Sequence, residues 1–532
     1  MQIEPSAAAF AARYAAGEPQ VVWTTLVADL ETPVSAFLKV TAAAPEGRPR
    51  GESSGKNAPI SFLLESVEGG EVRGRYSIIG LQPDVIFRIW GDRAEINRAP
   101  LADSTGFVPA DAPPLPALRA LIAESRIALP DNLPPMAAGV FGYLGYDTVR
   151  LMEDLPAARP DPIGIPDAIL VRPTLVIAFD AVDDTITVVT PVRPQPGVGA
   201  DAAHADAAER LSKVVAAFDR PLDKSAVQDE RRSEAPSGAM AAVAAVPRSN
   251  TAPDEFKSMV RRAKDYIVAG DIFQVVLSQR FEAPFVLPPF ALYRALRRVN
   301  PSPYLFFLDF GAFAVAGSSP EILVKTNRGT VTIRPIAGTR PRGATPLQDK
   351  ALEQELLADP KERAEHLMLL DLGRNDVGRV AEIGTVKVTD QFFIERYSQV
   401  MHIVSNVEGK LRTDCDRLDA LAAGFPAGTV SGAPKVRAMQ IIDELEKDKR
   451  GLYAGCVGYF SAAADMDTCI VLRTALIKDG IMYVQAGAGI VADSDPDLEQ
   501  QECINKAKAV FRAAEEARRF AGAAKRFGPA AG

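Results

Sequence analysis

Cysteine is scarce in this chain: Cys415, Cys456, Cys469 and Cys503 are the only four among 532 residues. None forms a Cys-x-x-Cys pair and none stands near a histidine at zinc-finger spacing, which argues against a zinc module. So few thiols in so long a chain point to a reducing compartment, with all four expected as free, buried or half-buried groups. A basic excess is missing too. The 60 Lys and Arg face 68 Asp and Glu, a net charge of −8, so nothing marks a nucleic-acid footprint. The short runs Arg231-Arg232 and Arg297-Arg298 read as solvated faces, and no polybasic segment suits a membrane surface. No run of about 18 uncharged apolar residues exists, so no spanning helix is expected. The N-terminus carries Glu4 and no basic leader, and Pro5, Arg13 and Gly17 interrupt any apolar core. No secretion signal is expected there, and the chain is expected in the cytoplasm.

What is present is the material of a large soluble fold. Hydrophobic residues make up 47% and charged residues 24%, enough to bury a sizeable core without cross-links. Residues 1–220 read as mixed helix and strand. Residues 221–252, rich in Ala, Ser, Pro and charge, read as a linker or surface excursion. Thr41 to Pro59 is a second loop-like excursion, followed by an apolar strand from Ile60 to Ser66. From residue 253 to about 520 the pattern is dense. It opens with a helix capped by Thr251 or Asp254, with Phe256, Met259, Val260, Ala263 and Ile267 on one stripe and Gly270 at its end. Strands follow, among them Phe273 to Phe281, Tyr304 to Phe310, Ala312 to Ala316, Glu321 to Thr326 and Thr468 to Ile477. Short turns between neighbours argue for antiparallel pairing. The class is α+β, with large antiparallel sheets and helices packed outside.

Two acidic helix starts carry the chemistry. In DPKERAE (Asp359 to Glu365) and DPDLEQQE (Asp495 to Glu502), Asp before Pro makes an N-cap with Pro at the first helical position. Glu362 and Glu365, like Glu499 and Glu502, stand three apart and share a helix face. Facing each other, the two helices would offer four carboxylates to a hard cation such as Mg²⁺, which also binds anionic substrate oxygens. Either helix alone reads equally as dipole complementation. The run from Phe425 to Lys435 (FPAGTVSGAPK) opens a helical pattern over Val436 to Glu446, and such a loop suits an anion. Its spacing is not that of a Walker loop. The glycines of QAGAGI (Gln485 to Ile490) lack the third glycine of a dinucleotide fingerprint.

Taken in order, PIAGTRP (Pro335 to Pro341), EHLMLLDLGRND (Glu365 to Asp376), the Phe425 run and QAGAGI resemble the chorismate-utilising enzymes. That family includes anthranilate synthase component I, aminodeoxychorismate synthase, isochorismate synthase and salicylate synthase. The resemblance spans Asp254 to about Arg512 and implies the fold of that family, with 253–520 as chorismate-binding domain. It implies that Glu365 and Glu502 bind Mg²⁺ with support from Glu362 and Glu499, the metal holding the ring carboxylate. Gly487, Ala488, Gly489 and Lys506 would assist there. Tyr453 and Arg473 would hold the enolpyruvyl carboxylate, an arginine fork matching a carboxylate bidentately. Gly338 and Thr339 would line the substrate. Glu321 would be the general acid for the departing C4 hydroxyl, with His402 and Thr429 close to the ring. Without the family, Arg473 reads as an ion-pair partner within an apolar strand, and Tyr453 and His402 as core.

Within the family the nucleophile differs. Isochorismate and salicylate synthases carry a basic Lys where this chain has Gln274 in QVVLS, and a neutral amide cannot activate water. Aminodeoxychorismate synthase carries Lys where this chain has Ala337. The pattern is similar to anthranilate synthase component I, in which ammonia attacks C2 and pyruvate is then lost. Ser66, from LLES, and Pro303, Tyr304 and Leu305, from NPSPYL, would contact tryptophan as feedback inhibitor, and residues 1–220 would carry that regulation. No Gly-x-Cys-x-Gly motif exists, and Cys415 sits in a polar loop, so ammonia would come from glutamine through a separate amidotransferase subunit. A heterotetramer is expected. The alternatives are an aminodeoxychorismate synthase component, opposed by Ala337, and an aminodeoxyisochorismate synthase that stops before pyruvate loss. A non-catalytic tryptophan-binding subunit is opposed by the intact set Glu321, Glu365, His402, Arg473 and Glu502.

Overall fold

A computed structural model describes residues 1–42, 60–66, 74–222, 247–397 and 400–523. Most of the excursion expected over 41–59, Arg231-Arg232 and most of the linker expected over 221–252 lie outside these residues. At the linker's far end, Arg248–Ser249 is a short strand rather than free chain.

In chain order the described strands are β1 (Gln20–Val27), β2 (Ser61–Glu65), β3 (Tyr76–Trp90), β4 (Arg93–Asn97), β5 (Val108–Pro109), β6 (Gly139–Leu144), β7 (Ala168–Asp180), β8 (Thr185–Val192), β9 (Arg248–Ser249), β10 (Gln274–Pro284), β11 (Tyr304–Asp309), β12 (Ala314–Ser319), β13 (Ile322–Asn327), β14 (Thr330–Ile333), β15 (Ile336–Pro341), β16 (Lys387–Arg396), β17 (Val400–Lys410), β18 (Gly432–Ala433), β19 (Cys456–Ser461), β20 (Met466–Ile470), β21 (Thr474–Lys478) and β22 (Ile481–Ile490). Every pairing among them is antiparallel. The first sheet runs β1-β8-β7-β3-β2-β11-β12-β21-β22-β10. The second runs β5-β4-β3-β7-β6-β19-β20-β13-β14-β17, with β16 on the far side of β17. The long strands β3 and β7 serve both sheets, and a register shift between Pro83 and Val85 marks where β3 leaves one for the other.

The inner faces meet in a core that includes Trp23, Phe62, Phe141, Tyr143, Phe306 and Tyr459. Phe62 of β2 stacks on Phe141 of β6 at 4.8 Å, ring against ring across the two layers. Helices cover both outer faces. On the first sheet, Ala203, Ala207, Leu211, Val214 and Phe218 form the buried stripe of helix Ala200–Phe218. On the second sheet, Leu370 and Val377 of helix Pro360–Gly378 and Leu421 of helix Arg417–Gly424 are buried. Phe256, Met259, Val260 and Ala263 of helix Pro253–Val268 are buried as their spacing requires, and this helix packs against β10 and β22. The architecture is the expected α+β sandwich with helices outside.

Two local expectations fail. Neither Thr251 nor Asp254 caps helix Pro253–Val268. Ala252 holds the cap position, and its N–H donates to the Glu255 carboxylate at 3.2 Å, so an N3 acid does the capping. Arg297 is not part of a solvated face either. It donates to buried Glu65 at 2.9 and 3.1 Å, and the Tyr293 hydroxyl joins the same carboxylate.

Candidate functional site

The chain crosses from one sheet to the other at two adjacent points, and each carries a candidate residue. Between β12 of the first sheet and β13 of the second stand Pro320 and Glu321. Between β20 of the second and β21 of the first stand residues 471–473. The crossings are tied together: Ile470 N–H donates to Glu321 O at 3.0 Å, and Ser318 N–H to Arg473 O at 3.3 Å. The expected continuous strand from Thr468 to Ile477 is therefore wrong. It breaks at Arg473, whose φ of +49° lies in the left-handed region that costs a non-glycine residue energy. The break frees the guanidinium from the strand's alternation. Arg473 is half-buried, and its side chain makes no hydrogen bond or ion pair among the described residues.

Glu321 is 7% exposed, and burial pushes its carboxyl up to about 8. The Thr429 hydroxyl donates to its Oε1 at 2.9 Å and, with the charges of Arg473 and Lys506, opposes that rise without cancelling it. Glu321 thus holds a proton at neutral pH. Thr429 reaches it from the turn Gly428–Val430. This turn and the short strand β18 lie within the Phe425 run, and the expected helix begins at Lys435, where the run ends. The N–H groups of Val430 and Ser431 bond back to Ala427 and Gly428, which fixes the turn that carries the Thr429 hydroxyl.

Gly338 occupies a bulge in β15, between the pairs Ala337–Ile403 and Thr339–His402, with φ +66°. A Cβ there would lie 3.1 Å from Glu362 Oε2, so only glycine fits without displacement. The bulge turns the Gly338 carbonyl onto His402 Nδ1 at 2.8 Å, with Thr339 Oγ1 at 3.2 Å from the same nitrogen. A carbonyl only accepts, so Nδ1 carries the hydrogen and Nε2 keeps its lone pair. Burial lowers the imidazole below its ordinary value, which keeps it neutral.

The acidic helices Pro360–Gly378 and Pro496–Ala523 form with the expected caps. Asp359 accepts from Lys361 and Glu362 N–H, and Asp495 from Asp497 and Leu498 N–H. Their carboxylates act on one another. Burial raises the Glu365 carboxyl, and the charges of Glu362 and Glu502 raise it further. Glu499 is raised by burial and by Glu502. The four do not converge on one point, however. Among the described residues no group of three or more His, Cys, Asp and Glu side chains is set to hold a metal ion. Arg340 binds Glu362 at 3.1 Å together with Glu355 and Asp359, and so takes one of the expected ligands. This arginine lies inside the PIAGTRP motif and was not singled out from the sequence. Lys506 pairs with Glu502 at 2.6 Å and donates to Gly487 O at 3.0 Å. Gly487 and Gly489 lie in β22 beyond Val484, past the last pair with β21, so that among the described strands this edge of β22 has no partner. A Cβ on Gly487 would stand 2.8 Å from the Tyr453 hydroxyl, and Ala488 is fully buried between the two glycines. Glu321, His402, Thr429, Gly338, Thr339, Tyr453, Arg473, Gly487, Lys506, Glu365 and Glu502 are thereby linked into one neighbourhood.

The other set meets elsewhere. β2 pairs with β11, Glu65 opposite Leu305, which brings Ser66 beside Tyr304 at the same strand ends. Pro303 and Leu305 are buried, while Ser66 and Tyr304 are half-buried.

A family model described as chorismate binding enzyme matches residues 61–512. The chain belongs to the chorismate binding enzyme family. Among curated relatives, it is 56% identical over 506 residues to anthranilate synthase component 1 of Cereibacter sphaeroides, covering 95% of this chain and 96% of that protein. It is 46% identical over 496 residues to the protein of the same name from Pseudomonas aeruginosa, with 92% and 94% covered. Among solved structures, anthranilate synthase component I from Streptococcus pneumoniae TIGR4 aligns with a TM-score of 0.69 at 35% identity, over 91% of this chain and 98% of that one. The menaquinone-specific isochorismate synthase of Escherichia coli aligns at 0.65 with 20% identity, over 94% and 95%, and shares the fold. The cluster at the two sheet crossings therefore lies in a chorismate binding enzyme. No helix among the described residues is long and apolar enough to cross a membrane.

Proposed function

We propose that this chain is the synthase component of an anthranilate synthase, converting chorismate and ammonia to anthranilate, pyruvate and water. The observation that carries the reading is Glu321, a buried carboxyl that keeps its proton to about pH 8 beside the unpartnered guanidinium of Arg473. Arg473 and Tyr453 hold the enolpyruvyl carboxylate. Thr429 orients Glu321 so that its proton goes to the C4 hydroxyl, which leaves as water while ammonia forms the bond to C2. The C2 proton is then lost, the C–O bond to the enolpyruvyl group breaks, and the ring becomes aromatic as pyruvate departs. His402, neutral with Nε2 bare, is chemically suited to receive that proton. Gln274 and Ala337 supply no amine, which leaves free ammonia as nucleophile.

Residues that fit a magnesium ion are Glu365 and Glu502: burial and the neighbouring charges of Glu362 and Glu502 raise the Glu365 carboxyl, a crowding that a cation between Glu365 and Glu502 would relieve. Glu362 and Glu499 flank them. Bound there with oxygen ligands, Mg²⁺ supplies positive charge for the ring carboxylate of chorismate, assisted by Lys506 and the backbone of Gly487, Ala488 and Gly489. Ammonia comes from a separate glutamine amidotransferase subunit, as expected of a component 1 with no thiol nucleophile in its own site, and a heterotetramer is the assembly expected. Tryptophan binds between Ser66 and Pro303, Tyr304 and Leu305, with residues 1–220 as the regulatory portion and 253–520 as the catalytic one. The test is direct. Purified chain with chorismate, Mg²⁺ and ammonium should develop anthranilate fluorescence, and glutamine in place of ammonium should give none without the partner. No fluorescence with ammonium overturns the activity, and turnover with glutamine alone overturns the separate ammonia source.

A further inference from the structure

Glu446 and Arg450 stand outside every set of residues named so far, yet they touch three of the elements that build the site. Both are almost fully buried, at 6% and 3% exposure. Arg450 donates from Nε to Glu446 Oε2 at 2.9 Å and from Nη2 to Oε1 at 2.6 Å. Two further donors go to backbone carbonyls of two separate segments: Nη1 to Val430 O at 2.7 Å and Nη2 to Val276 O at 2.6 Å. Val430 is the neighbour of Thr429, and Val276 lies in β10 opposite Gly489. Glu446 Oε1 in turn accepts from the Ser278 N–H and hydroxyl at 2.8 and 2.9 Å, and Ser278 is opposite Gly487. The guanidinium plane also lies 5.5 Å from the Tyr453 ring centre.

We propose that Arg450, locked by Glu446, is the positioning residue of the chorismate site, fixing the Thr429 turn against β10 and bracing Tyr453. The inference rests on reading this cluster as that site. Only an arginine serves, because a planar fork can meet one carboxylate and two carbonyls at once, whereas an ammonium is a point charge on a flexible stem. A buried ion pair is a weak source of stability and can be replaced by apolar groups at little loss, so its value here lies in placement. Thr429 acts on Glu321, and Arg450 acts on Thr429 through the adjacent Val430 carbonyl.

The experiment compares the full chain with R450K, which keeps the charge beside Glu446 and loses the fork. With chorismate, Mg²⁺ and ammonium, kcat should fall at least tenfold. The basic limb of the pH–kcat profile should move upward, because a displaced Thr429 no longer helps Glu321 release its proton. Combined with T429V, the loss should be far smaller than the product of the two single losses. Deuterium exchange at the amides of residues 427–433 should quicken in R450K. A folded R450K with wild-type kcat and an unmoved basic limb overturns the proposal, as does a multiplicative double variant. If the wild type makes no anthranilate, the proposed activity fails, and exchange alone decides the placement: unchanged protection at 427–433 overturns it. Should R450K not fold, E446Q, which keeps Arg450 and removes its lock, is expected to quicken the same amides, and unchanged exchange there overturns the proposal.

Discussion

The carboxyls at the sheet crossing and those on the two helix starts are the same chemical group set in opposite surroundings. Glu321 sits alone, buried between layers with a hydroxyl donor and no cation in contact, and holds its proton to about pH 8. Glu365 and Glu502 stand where two helices begin, half-buried and exposed respectively, with Lys506 against Glu502. Desolvation without a cation partner keeps a proton on a carboxyl, while crowded carboxylates near the surface suit the cation proposed for them. The difference teaches that solvent access and neighbours, rather than residue type, divide the labour.

Removing the acid should break this contrast most sharply. E321Q should lower kcat by about 10³-fold, since a positioned general acid contributes on that order. The same change should stabilise the fold at alkaline pH. Between about pH 4.5 and 8 the unfolded chain ionises Glu321 while the folded chain does not, so wild-type stability falls across that window. Glutamine never ionises, so at pH 8 E321Q should be more stable by on the order of 4 kcal/mol, with no such gain at pH 4, as measured by denaturant titration. An inactive variant without that pH-dependent gain would mean that Glu321 is ionised in the fold. For the wild type, kcat should decline as pH rises through about 8.

Next in size is the cation seat. E502Q should lower turnover by about 100-fold and weaken the response to added Mg²⁺, leaving the alkaline decline near pH 8 in place. A shift of that limb would show that the two carboxyl regions are not separate. R473K should raise the KM for chorismate about 30-fold, the loss of one charge-assisted bidentate contact, with a smaller effect on kcat. Smallest is S66A, which should weaken tryptophan inhibition about tenfold and leave uninhibited turnover unchanged, and equal sensitivity in wild type and S66A would remove Ser66 from that role.

The helix-start carboxylates were legible because their signal is local: Asp-Pro fixes the cap, and three-residue spacing fixes the face. The long buried strands were legible for the same reason. The crossings were not. VLRTALIK reads as unbroken strand, since nothing between Val471 and Lys478 is a turn residue, and only pairing to two different sheets forces the left-handed backbone at Arg473. β14 and β15 were missed because Pro335, Gly338 and Pro341 look like loop, although Gly338 is a bulge inside a pairing strand. Arg340 was not legible, because its hold on Glu362 is a contact made 22 residues away in the chain. Glu446 and Arg450 stand in ELEKDKRG, which resembles any solvated charged face until its burial is known.

β2 lies between β3 and β11, and β6 between β7 and β19. These contributions from the first half of the chain therefore stand at the exact places where the second half's portion of each sheet would otherwise stop. Cut away residues 1–220, and β11 and β19 become bare edges, each with a row of unpaired N–H and C=O groups and an apolar face turned outward. Such edges template pairing with other chains. The first half thus acts as a selvedge for both sheets, and a second half made without it is expected to aggregate through those two edges.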